Sequence, residues 1–335
     1  MRRIFLTSDT FSPMNNREVL TFRPGSIGDC LMGKYFLEQI RTAYPELKAT
    51  IAVPTRVGMV RDLLAAYPWI YVMPSNSLHS LFSSGRRDIV LTPYTGGVLP
   101  LRSKLLARLL GKKLIGFFDH SPFNRFLYTK LIPLIGRSRP PRLLECDALE
   151  AIGVPVSSSI PSFSYVPQPQ VLRRLHLEKE RYIVVHLFSG SDTRGLSLKR
   201  KQALIAALVT AVAVPLVITG SKKETDSLGV LPAGVCAAET TIQELAHLID
   251  HAVATMSLDT GAAHIAAHLR KPLVVLASCV GVQWWSKDMY GSGVPVALVT
   301  RPDVCAGNHD YSGYAKCLDA IDSIEVAQQV RALVS

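Results

Sequence analysis

Met256-Ser-Leu-Asp-Thr-Gly-Ala-Ala-His264, continuing as Ile-Ala-Ala-His-Leu-Arg-Lys-Pro-Leu-Val-Val-Leu-Ala277, is the stretch on which the reading of this chain turns. An apolar run from Ala252 to Met256 has the length of a buried strand, and the chain then turns at Asp259-Thr260-Gly261. A helical pattern begins there, stops near Arg270-Lys271, and Pro272 opens a second apolar run. Strand, tight turn, helix, strand is the unit of a parallel α/β fold. Thr260 and Gly261 fall where a helix start leaves backbone N–H groups without intrahelical partners, and small residues let an anion reach them. His264 lies one turn further along. The turn reads as a cradle for a diphosphate.

A second strand-to-helix turn lies near the other end of the chain. Val19–Arg23 reads as a strand, Pro24-Gly25-Ser26-Ile27-Gly28-Asp29 as the turn, and the helix runs to about Ala43. Two glycines permit a tight bend and close ligand approach, although such spacing alone is common. Paired with the Asp259 unit, this loop resembles glycosyltransferase family nine, the ADP-heptose:lipopolysaccharide heptosyltransferases. Ile40-Arg-Thr-Ala-Tyr-Pro45, His186-Leu-Phe-Ser-Gly-Ser191 and Ile218-Thr-Gly-Ser-Lys-Lys-Glu224 are similar to further family segments and follow in family order. The resemblance covers most of the chain. It implies the α/β GT-B fold, two Rossmann-like doubly wound parallel-sheet domains facing a central cleft. Residues 1–168 would bind the acceptor and residues 169–335 the nucleotide sugar, with the last helix, Ser323–Leu333, returning to the first domain.

The same resemblance implies roles for individual residues. Asp29 matches the aspartate held to take the proton from the attacking acceptor hydroxyl, in a single displacement with inversion; a positioned carboxylate can do this. The competing reading is an aspartate that stabilises a helix start. Arg23, Gly25, Ser26 and Gly28 belong to the same acceptor loop. Thr260, Gly261 and His264 are assigned to the diphosphate, where N–H donors and cations stabilise the departing ADP. The alternative for His264 is a packed core histidine. Asp259 is expected to brace the turn, since a carboxylate facing phosphates repels them. Relatives carry a lysine ahead of a Trp-Pro pair in the segment after His186; here that pair is absent. Arg194 best matches the lysine, Lys199 is the second choice, and Ser189 and Ser191 add hydroxyls. Glu224 corresponds to a carboxylate on the ribose hydroxyls, but Lys222-Lys223-Glu224 is also an ordinary helix start. Thr240 is placed near the base, and Trp284 and Trp285 either line the sugar pocket or pack in the core.

Periodicity supplies the frame. Strands are expected at Ala49–Val53, Ile89–Thr92, Lys113–Gly116, Tyr182–His186 and Leu216–Thr219 as well as at the two turns. Helices fit Val57–Ala66, Val98–Leu110, Asn124–Leu134, Arg142–Ile152, Leu198–Val212 and Thr241–Ile249, the last with Thr240 or Thr241 as N-cap and Glu244 spaced from Thr241 as in a capping box. Pro- and Ser-rich Gly153–Gln170 reads as an interdomain linker.

The 335 residues, 48% hydrophobic and 19% charged, suit two packed domains and exclude a disordered chain. No secretion signal is evident at Met1–Asp9, and Pro215 splits the uncharged run Gln202–Ser221, which argues against a membrane span. A cytoplasmic enzyme at the inner face of the plasma membrane is the expectation. The net charge is +11, and residues 1–168 hold 21 Lys/Arg against 11 Asp/Glu. Between Arg86 and Arg142 the count is 12 basic against 2 acidic. Such a region is either a solvated face or a contact for an anionic membrane and glycolipid acceptor. Nucleic acid is not expected, because basic residues interleaved with stacking aromatics are missing. The six cysteines form no C-x-x-C pair and read as free thiols. Cys305 and Cys317 with His309 between them give an incomplete ligand set, so no metal and no cofactor is expected.

The reading is therefore heptose transfer from ADP-heptose to a lipopolysaccharide-core-type acceptor. Its rivals are another nucleotide sugar or a protein acceptor, a nucleotide-sugar epimerase, which the Gly-Ser-Ile-Gly-Asp loop opposes, and a non-enzymatic anion-binding protein. A dehydrogenase is disfavoured because neither turn has the full G-x-G-x-x-G with an acidic residue downstream.

Overall fold

Runs such as Ile183-Val-Val-His186 and Leu273-Val-Val-Leu276 are apolar on both faces, and in the folded chain Ile183–Val185 and all four residues of the second run are buried. Strands of this kind belong to sheets covered on both sides by helices. The computed structural model describes residues 18–83, 85–92, 100–118, 121–132, 140–157, 161–191, 194–305 and 314–335. Over these residues the chain forms two six-stranded sheets in which every pairing is parallel.

Strand and helix alternate along the first sheet. β1 (Glu18–Phe22) leads to α1 (Ile27–Ala43), β2 (Lys48–Val53) to α2 (Val57–Leu63) and β3 (Ile70–Pro74) to α3 (Leu78–Phe82). β4 (Arg87–Leu91) precedes α4 (Leu101–Leu110), which runs without a connecting loop into β5 (Gly111–Phe117); α5 (Asn124–Leu127), β6 (Lys130–Ile132) and α6 (Pro141–Glu150) follow. After α7 (Gln170–Arg174) the second sheet repeats the pattern: β7 (Ile183–His186), α8 (Leu198–Ala211), β8 (Leu216–Thr219), α9 (Lys222–Asp226), β9 (Val235–Ala238), α10 (Ile242–Asp250), β10 (Ala254–Leu258), α11 (Gly261–His268), β11 (Leu273–Leu276), α12 (Lys287–Tyr290) and β12 (Val296–Val299), closed by α13 (Lys316–Asp319) and α14 (Ser323–Val334).

The strand orders are β3-β2-β1-β4-β5-β6 and β9-β8-β7-β10-β11-β12. Both are the doubly wound order, which reverses direction between its first and fourth strands, and ligands of such sheets bind beyond the strand ends at that reversal. In the first sheet the reversal lies between β1 and β4, so the loop after β1, Arg23 to Asp29, leaves from it. In the second it lies between β7 and β10. There Met256 pairs with Val185 and Ser257 with His186, which aligns the turn at Asp259 with the loop after His186.

The chain divides into two units, each considered by itself. The first is Met1–Pro24, Gly33–Val57 and Trp69–Ser159; the second is Gly25–Met32, Gly58–Pro68 and Ile160–Ser335. The division falls inside the expected linker, and the second unit also takes in the start of α1, as far as Met32, and most of α2. Core side chains of the first unit include Leu20, Ala52, Val90 and Leu114 from the sheet, with Ala107 and Leu110 of α4. The second is built on Val185, Ile218, Met256 and Val274, with Leu204 and Leu208 of α8 and Val326 and Val330 of α14.

One expectation is corrected. The helix expected over Asn124–Leu134 is only α5. Tyr128 is buried with extended backbone. Thr129 N–H then donates to the Leu114 carbonyl and accepts the Leu114 N–H on Oγ1, so the edge of β5 captures the chain as β6. Residues 133–134 lie outside those described. The last helix, α14, packs on α8, β10 and β11 of its own unit.

Candidate functional site

The β10–α11 turn sets the geometry. Thr260 is the N-cap of α11 with extended backbone, and its side chain makes no capping bond; its Oγ1 lies 3.2 Å from Ser257 Oγ. Backbone N–H groups of the first turn of this helix are thus left to an external acceptor. Gly261 has to be small, because a Cβ there would run into the Ile27 side chain.

His264, one turn along, is buried in an aromatic box. Its Nδ1 is 2.5 Å from the Tyr290 hydroxyl. The ring stacks on Trp285 at 4.8 Å between centroids and meets Trp284 edge-on at 6.0 Å. Burial, with the Arg194 guanidinium adding to it, holds its pKa down to about 4, so the ring is neutral at pH 7. Where the Tyr290 hydroxyl donates to Nδ1, the ring proton sits on Nε2, which faces Asp259 Oδ1 at 3.7 Å. His264 is therefore an N–H donor and not a cation. Arg194, exposed, is the positive group whose field reaches both His264 and Asp259.

Asp259 is held by the loop after β11. Its Oδ1 accepts the Trp285 indole N–H at 3.0 Å, and Gly281 lies so close that a side chain there would strike the carboxylate. Burial pushes its pKa up to about 6 in spite of the Trp285 hydrogen bond and Arg194. This carboxyl fixes the loop that carries Trp284 and Trp285.

The loop after β1 meets the same place. Gly25 adopts φ +91°, open to glycine at little cost. Ser26 Oγ accepts the Asp29 N–H at 3.2 Å and donates to Asp29 Oδ2 at 2.5 Å, a reciprocal cap on α1. The half-buried Asp29 keeps its other oxygen outside that cap. Gly28 packs directly on the imidazole of His264: an added Cβ would sit 2.5 Å from Cδ2 and 2.7 Å from Nε2. The Asp29 turn and the Thr260 turn are neighbours within the second unit.

Other candidates are dispersed. Ser191 N–H donates to Ser189 Oγ at 3.3 Å and Arg194 N–H to the Ser191 carbonyl, which shapes the loop after β7. His186 is half-buried, its pKa lowered by desolvation, with Nδ1 2.9 Å from the Thr219 carbonyl oxygen. Glu224 acts on His186 electrostatically, but its Oε2 accepts from Ser221 N–H and Oγ in a capping box on α9. Lys199 is exposed on the first turn of α8, whereas Lys201 lies over the Phe188 ring at 5.0 Å. Thr240 is half-buried beside Thr241, which caps α10 with Glu244 as the spacing predicts.

Arg23, expected from the sequence to belong with Gly25, Ser26 and Gly28, has its side chain held by Glu145. Its two terminal nitrogens bond Glu145 at 2.8 Å each in a buried fork, and Gly33 and Phe36 close over it. With Thr92, Ile115 and Gly116 this pair lines a pocket of the first unit at the ends of β1, β4 and β5. Sequence reasoning had no signal for Glu145, Tyr290 or Gly281, each brought in by folding from a distant segment.

Residues 202–277, which include Asp259, Thr260, Gly261 and His264, match the model of glycosyltransferase family 9 (heptosyltransferase). No curated protein sequence matches the chain. Solved structures share the fold, among them the following three. A glycosyl transferase family 9 protein from Veillonella parvula has a TM-score of 0.71 at 16% identity, covering 95% of this chain and 97% of that one. E. coli ADP-heptose lps heptosyltransferase II has 0.68 at 19%, covering 95% and 98%. E. coli heptosyltransferase WaaC with ADP-2-deoxy-2-fluoro heptose has 0.61 at 17%, covering 85% and 93%.

Proposed function

We propose that this chain, which carries a glycosyltransferase family 9 domain on a GT-B fold, transfers a heptose from ADP-heptose to the sugar of a lipopolysaccharide-core-type acceptor, inverting the anomeric centre. The observation that carries the reading is Gly28 seated on His264, which brings the helix start bearing Asp29 beside the one bearing Thr260 and Gly261. Heptosyltransferase II and WaaC, named for this chemistry and in one case holding an ADP-heptose analogue, support the donor class.

In this mechanism the β-phosphate lies on the free N–H groups of α11 with Arg194 alongside. Asp29, held on one oxygen by Ser26, takes the proton of the acceptor hydroxyl as that oxygen bonds the anomeric carbon. The bond from the anomeric carbon to the diphosphate oxygen breaks, and the charge left on ADP is met by the helix start and the guanidinium. Asp259 holds Trp285 and stays off the phosphates.

The acceptor's membrane fits a second surface. Leu101, Leu105 and Leu109 are exposed along one side of α4, Phe123 and Phe126 are exposed at α5 beside it, and Arg102, Arg125 and Lys112 are exposed among them. Apolar side chains edged by cations suit the headgroup layer of an anionic bilayer. Among the described residues no helix is long and apolar enough to cross a membrane.

Calorimetric titration with ADP, ADP-heptose, UDP and GDP tests the donor site. Preference for the adenine pair is expected, and preference for UDP or GDP would overturn the heptose assignment. Asp29→Asn should lower transfer on the order of 10²- to 10⁴-fold while ADP-heptose affinity stays within about twofold. Undiminished turnover would remove Asp29 from catalysis.

A further inference from the structure

Three sulfurs meet in the second unit. Cys279 follows β11, Cys305 ends the short 3-10 turn Pro302–Cys305 after β12, and Cys317 lies in α13. Their Sγ atoms all lie within 4.8 Å of one another, and none of the three is in a disulfide. Parallel pairing of β11 with β12 sets the first two segments side by side, and α13 packs on the turn that ends at Cys305. The sequence pattern had offered only Cys305 and Cys317 with His309, which falls outside the described residues. The fold supplies Cys279 as the third sulfur.

We propose that Cys279, Cys305 and Cys317 bind one thiophilic divalent metal ion of the zinc or ferrous class. Thiolate is the ligand such ions favour. Sulfurs about 2.3 Å from a tetrahedral zinc stand roughly 3.8 Å apart, so the cluster needs an inward shift of about 1 Å at most. Each cysteine that ligates gives its proton to solvent, and no electron is transferred. Three thiolates occupy three tetrahedral positions and leave the fourth to solvent or a small anion. Cys317 is fully buried, while Cys279 and Cys305 are half-buried, which gives an ion a path to the cluster.

The role is a clamp. From Cys279 the chain passes Gly281, pressed on Asp259, and reaches Trp284 and Trp285 on His264. A metal at the three sulfurs ties the ends of β11 and β12 to α13 and fixes the root of that loop. This assignment stands on the cysteine geometry alone and is independent of the donor sugar.

The test uses the full reduced chain, stripped with a chelator and titrated anaerobically with Co²⁺. A sulfur-to-cobalt charge-transfer band saturating at about one equivalent, displaced by Zn²⁺ and lost in Cys305→Ser, is expected. A rise in Tm of roughly 5 °C on metal addition that Cys305→Ser lacks should accompany it. Cys305 is only half-buried, so the variant should fold, and its circular dichroism spectrum checks this. No band in the wild-type chain, an equal band in Cys305→Ser, or intact mass showing a disulfide between two of the three in purified protein would each overturn the proposal.

Discussion

Asp259 and His264 are a pair whose proton changes hands on folding. The folded His264 is held down to about 4, so it stabilises the fold above the unfolded value near 6.5, and that contribution is lost as pH falls toward 4. The folded Asp259 is pushed up to about 6, so its contribution is full below the unfolded value near 3.8 and is lost as pH rises through 6. Between pH 4 and 6 the pair carries about one proton in either state, on Asp259 when folded and on His264 when unfolded. The two effects, each about 3 kcal/mol at most, then cancel. Asp259→Asn keeps an acceptor for Trp285 and removes one half of the pair. Its stability, followed by denaturant unfolding, should therefore fall relative to wild type as pH drops from 6.5 to 4. Parallel curves would show that the two groups do not titrate as described. None of this coupling is visible in sequence: Asp259 and His264 stand in one motif, but Trp285 and Tyr290, which bury and hold them, come from a separate loop.

At the scale of elements, the legible strands were the inner ones. β1, β2, β4 and β5 of the first sheet and β7, β8, β10 and β11 of the second announce themselves as apolar runs. The four strands without a sequence signal, β3, β6, β9 and β12, are the four sheet edges. An edge strand has one neighbour and is less covered, as in Val235–Ala238 and Val296–Val299, where only one residue in each is buried; its composition then resembles a loop. Caps are local and were readable: Thr241 Oγ1 accepts the Glu244 N–H and Glu244 accepts the Thr241 N–H. Thr241→Ala should cost about 1 kcal/mol, seen as a lower denaturant midpoint at unchanged slope. An unchanged midpoint would mean that packing of α10 holds the helix without its cap.

The +11 charge of the whole molecule overstates the field it presents. Folding turns part of the basic region inward: Lys104 is buried on Asn124 and Arg87 is buried and donates to the Leu81 carbonyl, while the half-buried Arg108 and the exposed Arg86 both donate to the Gly111 carbonyl. Arg137 and Arg139 lie outside the described residues. What stays outward sits around the leucines of α4. Sedimentation with anionic vesicles should consequently weaken with salt as the Debye length shrinks from about 10 Å at 0.1 M to about 3 Å at 1 M. Leu105→Glu with Leu109→Glu should weaken it on the order of tenfold or more at fixed salt. Binding indifferent to both would dismiss this face as a membrane contact. α4 passes into β5 at Gly111 with no slack between them, and Ile115, Gly116 and Phe117 of that strand wall the Arg23–Glu145 pocket. No loop stands between the helix that carries these leucines and the strand that walls the pocket, so the two share one continuous backbone.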